Sequence, residues 1–391
     1  MSRPRLAIRL PGRAPPAARA VLLTLALTLG LVLGLAACGG EPPAVGVLLP
    51  QSGPHAEAGR RALAAVLQAW DERPVAEQPR LLVADDGGSA LTTTAAFDDL
   101  VDQGATVILG PLDTECALAA SAAARLRRVP FLTPSATGEE VTRDNPYALR
   151  SCVGDDELAR ELAVHARYTL RLERVGVVVD LTDRHALGLA EAFEREFSQR
   201  RGRIVGELPF HPDEPTGKVL ATAAGWDADG LLLAASHGPV MDLLQTARPR
   251  DLADLVLLGD SRWNGPGLRE QLAGRVAGAW VAGHFDPGEA QDEGPRAEAV
   301  ADFLEAYRRR EDAPPDDVAA LTYDAARAVL QVFDGRRDGP ELARALRELQ
   351  YVVGVTGTLH MEGGGRPDGK TLVLRQLHDP SRPTFFERVG D

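Results

Sequence analysis

The sequence predicts an α/β protein built as two lobes, and three observations carry that prediction. From Ala44 onward, short apolar runs rich in β-branched residues alternate with amphipathic helical patterns whose wet faces carry Arg and Glu. The runs are almost continuously apolar, as parallel strands covered on both faces must be. There are nine of them, more than one mononucleotide-binding sheet uses, and the series divides naturally at "YALRSCVGDD", residues 147–156.

Before that division the strand candidates are "AVGVLLP", "RLLVADD", "TVILG" and "VPFLTP"; after it come "RVGVVVD", "GRIVGELPF", "GLLLAAS", "DLVLLGD" and "AGAWVAGHF". Helices are expected over Glu57–Trp70, Leu91–Gln103, Asp155–Leu170 and Gly188–Arg200. The last third differs. Pro295 opens a helical pattern to Arg310, and Pro314-Pro315 precede another from Asp316 to Phe333, as proline does around a first turn. A further helix follows over Pro340–Leu349, and "GVTGTLHMEGGGRPDGKTLVLRQL" reads as hairpin-like strands with a Gly-rich turn.

The front of the chain concerns its compartment. Arg3, Arg5, Arg9, Arg13 and Arg19 stand in the first 20 residues without an acid, and an uncharged, mostly apolar stretch runs from Ala20 to Ala37. A basic region, a short apolar region and small residues make a secretory signal. About 18 apolar residues also lie near the minimum for a membrane span. The ending Leu35-Ala36-Ala37-Cys38 resembles the lipobox of bacterial lipoproteins, in which the cysteine is acylated and becomes the new N-terminus. That resemblance implies a signal over residues 1–37, lipidation of Cys38, a tether over 38–43, and a place in the bacterial cell envelope, periplasmic or extracytoplasmic, anchored to the membrane by lipid. Loss of the five arginines deepens the formal charge of −13 to −18. So acidic a chain, with no basic stripe, excludes nucleic acid as a partner.

Catalytic and cofactor motifs are missing. "PTGK" at 215–218 lacks the upstream Gly and the Ser/Thr of a phosphate loop, and no G-x-S-x-G, H-E-x-x-H or C-x-x-C occurs. "DGGS" at 86–89 follows a strand and precedes a helix, where Asp and Gly make turns and caps. The eight histidines are scattered, so neither an enzyme nor a cofactor or metal is expected. Cys116, in the first turn of a helix after "VILGPLDT", is open to three readings: a thiolate nucleophile favoured by the helix N-terminus, half of a disulfide, or core. With Cys152 it forms the even pair that an oxidising envelope turns into one disulfide.

The opening "VGVLLPQSGPHAEAGRRALAA" resembles the start of the branched-chain amino-acid binding proteins, which have the periplasmic-binding-protein type I fold and serve ABC importers. Similar segments continue in order: "LVADDGGS", "GATVILGPL", "VPFLTPSATGEEVT", "NPYALRSCVGDD", "LLLAASHGPVMDLLQTAR", "VAGAWVAGHF", "ALTYDAARAVL" and "GVTGTLHMEGGG". The resemblance covers nearly all of residues 44–380. It implies two Rossmann-like lobes, 44–152 with 284–355 and 153–283 with 356–391, joined by three crossings near Ser151, Gly283 and Val355. The implied function is capture of a small polar ligand, an amino acid or a related amide or carboxylate, between the lobes for delivery to an ABC permease.

The same resemblance assigns ligand contacts to Thr114, whose other reading is a helix N-cap, and to Ser135, Ala136 and Thr137. Hydroxyls and N–H groups at a helix N-terminus suit an anion. Departures also stand out. An aromatic in the first loop becomes Ala58, second-lobe tyrosines fall at His185 and at Ser236 followed by His237, and the acid that pairs with a ligand ammonium falls at Ser261, beside Asp260. A Cys116–Cys152 disulfide would brace loop to hinge in this frame. A second reading follows from the departures: a lipoprotein using the fold as a sensory or protein-binding module. An envelope enzyme, with Cys116 its one candidate, is the third.

Overall fold

The structure is a computed structural model that describes residues 42–377 and 386–388, apart from 264–267, 269–271, 273–274, 363, 369 and 371; the signal segment and Cys38 lie outside the described residues. Each lobe is organised on one sheet. In the first, β1 (Ala44–Leu49), β2 (Arg80–Asp85), β3 (Ala105–Leu109), β4 (Phe131–Thr133) and β5 (Ala148–Arg150) are all parallel, in the order β2-β1-β3-β4-β5. In the second, β6 (Arg174–Asp180), β7 (Arg203–Phe210), β8 (Gly230–Ala234), β9 (Val256–Asp260) and β10 (Gly278–Gly283) repeat that order as β7-β6-β8-β9-β10. The antiparallel strands β15 (Val373–Leu377) and β16 (Phe386–Arg388) extend this sheet beyond β10. In both sheets the order reverses between the first and third strands. Ligands of such folds bind outside the C-terminal ends of strands at that reversal.

Residue pattern explains the layers. All six residues of β1 are buried, as a central parallel strand requires. Along β6, Val177 and Val179 face the core of Phe193 and Phe197, while Val178 faces that of Leu231, Leu257 and Trp263. Asp or Ser caps start the helices Ala90–Asp102, Thr114–Arg127, Arg184–Gln199 and Asp317–Val332, their side chains accepting first-turn N–H groups.

The helices Pro295–Arg308, Asp317–Val332 and Gly339–Arg347 leave the second sheet and pack with the helix Ala56–Asp71 on the first, around Trp70, Phe303, Tyr307 and Tyr323. The hairpin β11–β12 (Val352–Gly354 and Gly357–Leu359) and the pair β13–β14 (Met361–Glu362 and Arg366–Pro367) come next. Leu359 and Met361 belong to the first core, and Met361 N donates to Leu349 O. The chain therefore returns to the second sheet between β14 and β15, later than the expected crossing near Val355.

Two local expectations also change. β5 was hidden within the segment read as the division, because Ala-Leu-Arg ends on a charged residue and, unlike the equally short β4 in "VPFLTP", is not framed by prolines. The helix beginning at Asp155 is α-helical only to Val164 and opens into a π-helical turn at His165–Thr169.

Gly59 shows how closely the first helix sits on the sheet. A Cβ there would lie 1.7 Å from Pro50 O. Gly59→Ala is expected to cost about 1–3 kcal/mol through overpacking, read as a lower melting temperature. An unchanged melt would mean that the helix is not seated this way.

Candidate functional site

The first wall of the site is made of loops at the C-terminal ends of β3 and β4. Asp113, in extended conformation, is the N-cap of the helix Thr114–Arg127, and its Oδ1 accepts from Cys116 N at 2.8 Å. Thr114 is therefore the first helical residue and not the cap. Its hydroxyl oxygen accepts from Gly138 N at 3.2 Å. Ser135 Oγ donates to Leu112 O (2.8 Å), and Thr133 Oγ1 donates to Pro111 O (2.6 Å) while accepting from Ala136 N (3.1 Å). These bonds stitch loop 133–138 onto loop 110–114. Arg150, almost fully buried, fixes the far side by donating to Thr137 O at 2.9 Å and to Glu139 Oε1 at 2.7 Å.

The second wall meets the first at Thr137. Its hydroxyl is hydrogen-bonded to His185 Nδ1, so a side chain of each lobe touches here. His185, only 12 % exposed, lies 2.6 Å from Asp155 Oδ1 through Nδ1 and 3.4 Å from Asp260 Oδ2 through Nε2. Asp260, at the end of β9, also takes two parallel bonds from Arg262, Nε to Oδ1 and Nη2 to Oδ2, both 2.9 Å. The third arm of Arg262 reaches Asp183 Oδ2. Asp183 in turn caps the helix Arg184–Gln199 through Oδ1, accepting from His185 N (3.0 Å) and Ala186 N (3.3 Å). Asp155 stands in the first turn of the helix that follows Gly154.

Electrostatics follow from these pairings. Burial and the Arg262 guanidinium both push His185 down, yet Asp155 and Asp260 outweigh them and raise it to about 9. It is an imidazolium at neutral pH. Burial alone would raise Asp260, but Arg262 and His185 hold its carboxyl well below the usual carboxylate range. Asp183 is lowered against the same burial by the same two cations.

The structure thus brings Thr114, Ser135, Ala136, Thr137, His185 and Asp260 to one place. Ser236 and Ser261 adjoin that place in the chain but, among the described residues, make no side-chain hydrogen bond into it. Ser236 sits at the N-cap of the helix His237–Thr246 without a side-chain cap bond, and His237 Nδ1 is bonded to Trp263 O at 2.9 Å. Ser261 begins the 3₁₀ turn Ser261–Trp263, and among the described residues no hydrogen bond ties its side chain to this network. Ala58 packs against the first core. Asp155, Asp183 and Arg262 were missed in the sequence. Arg262 adjoins the singled-out Asp260-Ser261, and Asp183 stands at a visible cap position, but nothing local pairs them.

The disulfide is a correction. Cys116 and Cys152 are both free and fully buried. Cys152 Sγ donates to Ala136 O at 3.4 Å under the hinge, whereas Cys116 lies against Thr93 and Asp113 at the start of its helix. An even count speaks to compartment but carries no distance. Burial raises the Cys116 thiol far out of the reactive range, with Asp113 adding to it. It pushes Cys152 up to about 11, against Arg150 and Lys370. Neither has the environment of a nucleophile.

A two-lobed binding protein, with polar loops of both lobes meeting at the strand ends, is the class that fold and site define. The chain belongs to the periplasmic binding protein family, whose model matches residues 42–377. As that description states, the family's members are binding proteins of the periplasm. The chain is 29 % identical to the Leu/Ile/Val-binding protein BraC3 of Rhizobium johnstonii over 339 residues, 81 % of this chain and 88 % of the relative. Its fold is similar to that of the leucine binding protein LivK of Thermotoga maritima, with a TM-score of 0.79 and 22 % identity, covering 89 % of this chain and 98 % of the other. A solute binding protein of an R. palustris ABC transporter, in complex with benzoate, gives a TM-score of 0.75 and 18 % identity over 90 % and 96 %.

Two measurements check this geometry. In the soluble chain begun after Cys38, a thiol reagent applied after denaturation without reductant is expected to label two cysteines; labelling of none would restore the disulfide. Because His185 is raised from 6.5 to about 9, its contribution is fully present below pH 6.5 and lost as pH rises through 9. The melting-temperature gap between wild type and His185→Gln is therefore expected to shrink from pH 6 to pH 10. A gap independent of pH would contradict the ion pairs.

Proposed function

We propose that this chain is the solute-binding component of an ABC importer, holding a small polar ligand with a carboxylate or related group between its lobes and handing it to a membrane permease. The single observation that carries the reading is the meeting of Thr114 and Ser135–Thr137 with His185 and Asp260 at the strand ends of a periplasmic-binding-protein fold. The relatives support it: one is named for Leu/Ile/Val, one for leucine, and one holds benzoate. In this reading the lobes are 44–152 with 284–355 and 153–283 with 356–391, the last boundary moving toward Lys370 because Leu359 and Met361 pack in the first core. A lipid on Cys38 tethers the protein outside the cytoplasmic membrane, and the cleft performs no catalysis.

The second reading, a lipoprotein serving as a sensory or protein-binding module, is favoured by one observation. Thr137 is already bonded by His185, so the place of a ligand contact is taken by a side chain.

A thermal-shift screen separates the two. The soluble chain, partly unfolded and refolded to strip carried ligand, is tested against amino acids, amides, small carboxylates and sugars. A ligand at a hundredfold over its Kd stabilises by about 2.7 kcal/mol. A hit that disappears in Thr137→Ala is the expected result. No shift with any compound would overturn the proposal in favour of the partner-binding module.

A further inference from the structure

Among the described residues, the three acids of the second wall each face a cation. Asp155 faces His185, Asp183 is shared between a helix N-terminus and Arg262, and Asp260 takes Arg262 twice and His185 once. Glu139 is paired with Arg150 and Arg366, and Glu140 with Arg184. Deeper in the first lobe, Asp113 caps its helix and Asp86 is fully buried, its carboxyl pushed up to about 6 chiefly by burial. Asp113 and Asp86 each keep one buried oxygen without a hydrogen-bond partner, but on the second wall a ligand ammonium would meet no described carboxylate that lacks a cation already.

Donors are in the opposite state. Arg262 spends three of its five N–H groups on Asp260 and Asp183, leaving two without a partner among the described residues, and its side chain is 27 % exposed. Thr114 uses its hydroxyl oxygen as an acceptor, which leaves its O–H to donate. His185 stands at Thr137, one of the contacts between the lobes. Two of the three second-lobe acids, Asp155 and Asp183, lie at helix N-termini, whose partial positive charge offsets them. The network is three carboxylates around two cations, with two of the carboxylates at helix N-termini.

We propose that the interlobe site takes a small carboxylate carrying no ammonium group, with His185 and Arg262 as its counter-charges on the second lobe. The protein's own imidazolium stands where an amino acid would bring its ammonium. This inference rests on the solute-binding reading above and narrows it.

Matched pairs differing only in the amine test it: acetate and glycine, succinate and aspartate, 4-methylpentanoate and leucine, 3-phenylpropanoate and phenylalanine. Calorimetric titration of the soluble chain is expected to show, in the pair that binds best, the deaminated acid at least tenfold tighter than its amino acid. His185→Gln is expected to weaken that acid at least tenfold while still melting cooperatively. Arg262→Lys, which keeps the charge but loses the two-point fork, supplies the same comparison if His185→Gln does not fold. An amino acid that binds more tightly than its deaminated partner overturns this inference and leaves the solute-binding reading standing. Undiminished binding in a folded His185→Gln also overturns it. Silence of all eight compounds overturns it too, and with a blank wider screen overturns the solute-binding reading as well.

Discussion

The passages of the chain between the two sheets are tied by buried charges that hydrogen-bond the main chain, and the geometry of the site depends on those ties. Lys370 donates to Ser151 O at 2.7 Å at the first passage. At the second, Asp317 accepts from His284 N at 2.5 Å while Arg375 donates to Phe285 O at 2.5 Å and to Asp317 at 2.9 Å. Before the third, Asp324 accepts from Val355 N and Thr356 N, both at 2.8 Å. Asp317 and Asp324 are seven residues apart, two turns of one helix, so a single face holds the second passage and the hairpin that leads toward the third. A buried charge without partners is costly, whereas a hydrogen bond to a charged group contributes about 1.5–3 kcal/mol. The pairing of Asp317, on a first-lobe helix, with Arg375, on a second-lobe strand, fixes where the lobes pivot.

The charge network of the site follows the same rule with a different result. Asp183 both starts a helix and receives Arg262, so the N–H groups that orient His185 and the guanidinium that flanks it answer to one carboxylate. Arginine suits this place because its planar fork meets Asp260 at two points and still reaches Asp183; an ammonium offers one point charge. Removing one member would strand the others in a mostly buried setting, the costly case for buried ion pairs. The network is thus a rigid element of the second lobe, and Thr137 meets it as a fixed surface.

Much of the fold was legible because parallel strands advertise themselves as unbroken apolar runs, and the nine expected strands appear in order. β5 was not, since Ala148–Arg150 ends on an arginine that the apolar pattern does not admit, whereas the equally short β4 lies between prolines. Thr114 and Thr137 were legible as polar residues at helix-start and strand-end loops. The cap was misjudged because Asp113 and Thr114 are both capable of it, and only the extended backbone of Asp113 decides. Asp155, Asp183 and Arg262 were illegible for another reason. They come from three separate loops, and a pairing such as that of Asp183 with Arg262, 79 residues apart, leaves no local trace. The cysteines failed in the same way.

The departures at His185 and Ser261 then acquire a common physical account. An uncharged aromatic in place of His185 would leave Asp155 without its cation and Asp260 with Arg262 alone, and a bound ammonium would supply the missing charge. With His185 in place the acids and Arg262 satisfy one another inside the lobe, and the imidazole is charged by the carboxylates that hold it. The sheets, the passages and the Thr137 loop need not change for this to happen. On the reading proposed above, selectivity is decided by which partner, protein or ligand, completes the charge around Asp155 and Asp260.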